Sequence, residues 1–235
     1  MSDKKLDAPA FHRRAKRLMD AWKAESDGPD SLLVIHGKTA PDVYNKTIAI
    51  HLWLFGYEFS DTILLFTKDK IHITTQRKKV AKILQPLQDA ENAVPLEITV
   101  ISKDPAPENQ QAYEKALATL KASGPAVGTI ASEEPSSKIV AEWNTVYSGS
   151  QSEFTSRDIG PLVSDTLAVK EESEIKHTKA AATAGALLMQ DYFVDEMAKI
   201  FDEEEKVTNR VLAERVEGAL ASKAVEKRLK AKVPD

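Results

Sequence analysis

Apolar residues recur along this chain in two rhythms, one of three to four residues and one of two. Phe11, Ala15, Leu18, Met19 and Trp22 share one helical face, with His12, Arg13, Arg14, Lys16 and Arg17 between them. That spacing predicts an amphipathic helix whose basic face is solvated. Gly28-Pro29-Asp30 then breaks the chain before Leu32 to Ile35, a short apolar run of the kind found in strands covered on both faces. From Asn45 to Lys79 the pattern is densest. Ile48, Leu52 and Phe55 fall at helical spacing while Ile50, Trp53 and Leu54 fill the other faces, which predicts a helix buried nearly all round and ended by a left-handed Gly56. Thr62 to Phe66 reads as a strand opened by Asp61, with a turn at Lys68-Asp69. Ile71 and Ile73 alternate with His72 and Thr74 as in a half-exposed partner strand.

The alternation continues. Val80, Ile83, Leu84 and Leu87 mark a one-sided helix, and Leu96, Ile98 and Val100 alternate with Glu97 and Thr99 as a strand does. Tyr113, Ala116, Leu117 and Leu120 mark a helix stopped by Gly124-Pro125, and Ala126 to Ala131 supplies a short strand. Ser136 is placed to cap a helix bearing Ile139, Val140, Trp143, Val146 and Tyr147. Ser148 to Ser156, SGSQSEFTS, reads as a surface loop. Strands alternating with helices imply an α/β fold with βαβ crossovers and a mixed sheet between helices. Beyond Ala168 only helices are expected. A long one runs from Glu171 to about Phe201, with Ile175, Ala182, Ala186, Met189, Phe193 and Ile200 on its apolar face. A second is capped by Thr208, carries Leu212, Val216 and Leu220, and leads into a Lys- and Arg-rich end from Lys223 to Lys232. Two helices cannot cover such stripes by themselves, because each needs another packed layer. The expected domains are residues 7–168 and 169–235.

Charge and composition narrow the function. Lysine and arginine number 32 against 36 acidic residues, a net −4. Divided after Ala168, the counts are 20 against 22 and 12 against 14, so each part carries −2. No basic field suited to DNA emerges, and direct DNA binding is not expected. The absence of cysteine from the 235 residues removes disulfides, thiolate metal sites and cysteine nucleophiles together. No apolar run approaches a membrane span and no signal core opens the chain, so an intracellular protein without a membrane is expected.

The candidate chemistry is sparse. The scattered glycines make neither GxGxxG nor GxxxxGK[ST], which gives nucleotide binding no support. His12, His36, His51, His72 and His177 show no ligand spacing, so no metal, other cofactor or small-molecule substrate is expected. His51 fits a hydrogen-bonded core histidine, and His36, at a strand end beside Gly37, lacks a second group. Ser150 and Ser152 lie outside any GxSxG elbow, leaving no catalytic residues. Asp202, Glu203, Glu204 and Glu205 form the densest carboxylate run. They are the candidate partner-binding residues, since clustered charge steers a basic protein without specific geometry.

Residues Trp53 to Ile63, WLFGYEFSDTI, with the hairpin and Gln76 to Val80, QRKKV, resemble the N-terminal domain of the large subunit of FACT, the nuclear histone chaperone complex. Thr166 to Glu171, TLAVKE, then Glu174 and the Ala-rich helix from Lys179, resembles that family's passage from its first lobe into its second. The resemblance implies a creatinase-N-like first lobe, joined to the opening helices of an incomplete pita-bread lobe whose strands would follow Asp235. It also implies a non-catalytic role in the nucleus, on the chromosome. Its expected partners are core histones, other chromatin proteins or the replication machinery, with an HMG-box partner subunit held through domains outside this chain. The contrasting expectation is the N-terminal part of a metal-dependent Xaa-Pro aminopeptidase, whose two aspartates, histidine and two glutamates have no match in these residues.

Overall fold

The computed structural model describes residues 6–38, 45–88, 90, 94–104, 106–219, 221–223, 227 and 231. The chain divides into two compact units, Met1–Val169 and Lys170–Asp235.

In the first unit, Asp7 caps helix α1 (Ala8–Ala24) by accepting the Ala10 N–H at 2.9 Å. The helix buries Phe11, Ala15, Leu18, Met19 and Trp22. Its basic side is only partly solvated. His12 is buried, and Arg14 and Arg17 are half-buried and donate to the carbonyls of Trp53 and Thr166. Strand β1 (Ser31–His36) follows. Helix α2 (Lys46–Phe55) begins where Asn45 accepts from the Thr47 and Ile48 N–H groups, and it ends at Gly56 with φ 70°. Seven of its residues are buried, but Leu52 is 49 % exposed, so one line of the helix meets solvent.

The hairpin is β2 (Thr62–Phe66) and β3 (Ile71–Thr75), followed by helix α3 (Lys78–Leu84) and strand β4 (Leu96–Val100). Helix α4 (Pro107–Ser123), strand β5 (Ala126–Thr129), helix α5 (Lys138–Ser148), strand β6 (Thr155–Asp158) and helix α6 (Gly160–Ala168) complete the unit. The six strands lie in the order β4-β3-β2-β1-β5-β6. β1 is antiparallel to β2, from Leu32 opposite Phe66 to His36 opposite Thr62, and parallel to β5. β2 and β3 are antiparallel, whereas β3 with β4 and β5 with β6 are parallel. Strand periodicity sorts the core into two layers. Leu32, Val34, Leu64, Phe66, Ile71 and Ile73 pack with residues of α1, α2, α3 and α6. Leu33, Ile63, Leu65 and Val127 pack with Tyr113, Leu120, Ile139, Val140 and Trp143 of α4 and α5.

Three expectations require correction. β3 is not half-exposed: Thr74 is buried and His72 half-buried, because they stand opposite Ile63 and Leu65 on the sheet face that α4 and α5 cover. The segment Ser148 to Ser156 is not a loop throughout. A single 3-10 turn (Gln151–Glu153) leads into β6, whose residues TSRD are all exposed and carry no apolar period to read. The residue preceding α5 is Ser137, not Ser136. The Ser136 carbonyl instead accepts the Lys38 N–H at 3.1 Å, which uses that peptide to hold the chain beyond β1.

The second unit is helical among its described residues. Helix α7 (Glu172–Leu188) opens on a reciprocal capping box between Glu171 and Glu174. A π-helical turn (Met189–Phe193) joins it to α8 (Val194–Asp202). Thr208 accepts from the Val211 N–H at 3.3 Å at the start of α9 (Asn209–Ala219). The expected apolar face divides at the π turn: Ile175, Ala182, Ala186 and Met189 are exposed, whereas Phe193 and Ile200 are half-buried. Most of the stretch from Lys223 to Lys232 lies outside the described residues.

Candidate partner-binding site

Asp202 is the last residue of α8, and Glu203, Glu204 and Glu205 turn the chain away from it. The Glu203 N–H donates to the Lys199 carbonyl at 2.9 Å and the Glu205 N–H to the Ile200 carbonyl at 3.0 Å. Glu204 takes the left-handed conformation, φ 52°. All four side chains are exposed. They are not equivalent, because Arg215 donates to both oxygens of Glu205, at 2.6 and 3.1 Å. That hydrogen-bonded guanidinium holds Glu205 below the usual carboxylate range. Glu196 stands 3.6 Å from the same arginine and 3.0 Å from Lys199. The carboxylates best placed to meet a basic surface are therefore Asp202, Glu203 and Glu204.

The histidines occupy structural positions. His12 lies 2.8 Å from the Leu87 carbonyl through Nε2 and accepts the Val94 N–H at Nδ1, with burial lowering its pKa. His51 is fully buried and accepts the Phe59 N–H at 3.3 Å. Burial first, and the charge of His36 second, lower it to about 3, so it is neutral in the folded chain. The group that sequence spacing did not supply for His36 is Glu58, whose Oε1 is 2.9 Å from Nε2. His72 lies 3.4 Å from Glu97, and burial outweighs that carboxylate to lower its pKa. His177 is exposed on α7. Among the described residues, no three histidine, aspartate or glutamate side chains converge as metal ligands.

A feature that periodicity did not bring out lies between α4 and α5, where a groove of about 520 Å³ opens. Tyr113, Leu117 and Val146 form its apolar part, and Glu114, Glu142 and Thr145 its polar part, with no basic residue in its lining. The buried Tyr113 hydroxyl donates to Glu142 Oε2 at 3.0 Å, and burial raises the phenol pKa. The sequence signal was faint: Tyr113 and Leu117, and Glu142 and Val146, are each four apart on helices that only the sheet brings together.

A six-stranded mixed sheet between helical layers, followed in the chain by a helical unit, defines the class: a mixed α/β lobe with a helical second unit. The chain belongs to the FACT complex subunit SPT16 N-terminal lobe family, whose model matches residues 6–162. It is 37 % identical over 234 residues to the FACT complex subunit SPT16 of Mycosarcoma maydis, covering 96 % of this chain and 22 % of that protein. The Gibberella zeae subunit is 37 % identical over 230 residues, with 94 % and 22 % covered. The chain thus spans about a fifth of the length of the curated relatives it matches. Two solved N-terminal domains of the same subunit share the fold. The Eremothecium gossypii domain superposes with a TM-score of 0.84 at 25 % identity, covering 97 % of this chain and 53 % of that one. For the Cicer arietinum domain the TM-score is 0.79 at 28 % identity, with 92 % and 51 % covered.

Proposed function

We propose that this chain is a non-catalytic protein-binding domain of a FACT-type histone chaperone. It binds core histones or other chromatin proteins in the nucleus, on the chromosome, while the complex reorganises nucleosomes during transcription, DNA replication and the repair of DNA damage. Membership of the SPT16 N-terminal lobe family over residues 6–162 carries this reading. The sign of the charge supports it: the chain is net −4, and the Asp202 to Glu205 turn offers carboxylates to a basic partner. In this reading residues 7–168 form a first, creatinase-N-like lobe and residues 169–235 the helical start of a second, peptidase-like one. The replication machinery is a further partner, and an HMG-box partner subunit is held through domains outside this chain.

The test is binding of core histones and of duplex DNA to the 235-residue chain at two salt concentrations. Histone binding that weakens with salt, with little DNA binding, is expected, because DNA requires clustered cations that release its counterions. Tight DNA binding, or no histone binding at either salt, overturns the assignment. Xaa-Pro peptides incubated with the chain and added divalent metal should remain uncut, and turnover would end the non-enzyme reading.

A further inference from the structure

We propose that the groove between α4 and α5 receives a lysine side chain from an extended basic segment of a partner protein. The stem lies along Tyr113, Leu117 and Val146, and the ammonium meets Glu114 and Glu142. This inference rests on the reading of the chain as a binder of basic protein and adds a surface remote in sequence from Asp202 to Glu205.

Two observations select the occupant. The first is shape with polarity: a groove of about 520 Å³ with an apolar wall and a carboxylate from each helix suits a side chain that is aliphatic along its stem and charged at its tip. The second is charge. The lining holds two carboxylates and no basic group, and the nearest cation to Glu142, Lys138 Nζ, is 3.9 Å away and donates to the Lys103 carbonyl. An anionic or purely apolar segment would bring no counter-charge to either carboxylate, Glu142 keeping only its 3.9 Å pairing with Lys138, whereas a lysine supplies one.

The groove is also partly preorganised. Tyr113 is 2 % exposed, and its hydroxyl fixes Glu142 Oε2. Gln110 donates to Glu114 Oε1 at 2.8 Å, which leaves the second oxygen of that carboxylate for a ligand. Both carboxylates therefore meet an incoming ammonium with part of their rotamer freedom already restricted.

The probes are a labelled peptide of alternating lysine and glycine, the same peptide with every lysine acetylated, and core histones. Each is titrated into the whole chain at low salt. The lysine peptide is expected to bind and the acetylated one to fail. Glu114→Gln with Glu142→Gln should raise the Kd for the lysine peptide at least tenfold, while Glu142→Gln keeps a side-chain oxygen to accept from Tyr113. Thr145→Arg, which sets a cation at an exposed position of the lining, should abolish binding without entering the core. Changing Glu203 and Glu204 to glutamine should weaken peptide binding less than either groove variant does. Unchanged peptide affinity in both groove variants, or loss only in the Glu203 and Glu204 variant, overturns the proposal. If the wild-type chain binds histones while the groove variants bind them and the peptide equally well, the groove fails and the wider reading stands. If the wild type binds neither probe, both fail.

Discussion

The rings of His36 and His51 meet edge to face with their centroids 5.0 Å apart, beneath the end of β1 and inside α2. Burial of His51, with this contact second, makes the lobe sensitive to acid. His51 has an ordinary pKa of 6.5 and a folded value of about 3, so between these pH values the unfolded chain holds a proton that the folded chain refuses. Stability is complete above pH 6.5 and falls as pH drops toward 3, by about 1.4 kcal/mol per pH unit for this one group. Urea unfolding at pH 7, 5.5 and 4.5 measures it. His51→Gln should flatten the dependence, and an identical pH profile in the variant would exclude His51 as its source.

Trp53 is a second stability determinant. Its indole is 6 % exposed, with the Arg14 and Arg17 guanidiniums 6.0 and 5.9 Å from the ring centroid. Trp53→Ala should cost about 3 to 5 kcal/mol. The indole N–H is buried without a partner, so Trp53→Phe removes an unsatisfied donor and should cost under about 1.5 kcal/mol. Thermal unfolding of the two variants decides the matter, and equal losses would mean that the N–H is satisfied.

Gly37 is fixed by what lies beside it. A Cβ there would stand 2.6 Å from the Ser136 carbonyl oxygen and 2.9 Å from its carbon, both backbone atoms that cannot rotate away. Gly37→Ala should therefore destabilise by about 1 to 3 kcal/mol, the range for overpacking. Gly149→Ala is the comparison, because its nearest neighbour is an ordinary 3.9 Å away. A Gly37 variant no less stable than the Gly149 variant would show that the Lys38 to Ser136 link is loose.

The acidic turn should act unequally. With Glu205 already clasped by Arg215, Glu205→Gln is expected to change histone affinity little, whereas Glu203→Gln with Glu204→Gln should weaken it several-fold at low salt. Titration of core histones into each variant tests this. Equal affinity in wild type and double variant would remove the turn from the binding surface.

The helix, hairpin and first strands were legible because their apolar positions keep a period that burial enforces. β6 was not, since Thr155, Ser156, Arg157 and Asp158 join the sheet through backbone pairing and polar side-chain bonds, Ser156 to Thr129 and Asp158 to the Ala131 N–H, which leave no apolar period. The exposure of β3 was misread because a two-residue period describes the strand itself and not the helices α4 and α5 laid over its second face. The same limit applies to the sites. Four consecutive carboxylates are visible as letters, but their inequality depends on Arg215, ten residues beyond Glu205. The groove requires two helices to be brought together by strands that neither contains.

The π turn at Met189–Phe193 resembles a dislocation in a screw thread. An α-helix advances about 100° per residue, and the one extra residue of a π turn offsets everything after it by that angle. Ile175, Ala182, Ala186 and Met189 form one line, and Phe193 and Ile200 resume it out of phase, turned from exposed to half-buried. A ligand lying straight along the apolar line of α7 would lose register on reaching α8. The eighteen residues from Ile175 to Phe193 would make five whole turns of plain α-helix, so the letters alone place both on one face and the π turn is what parts them.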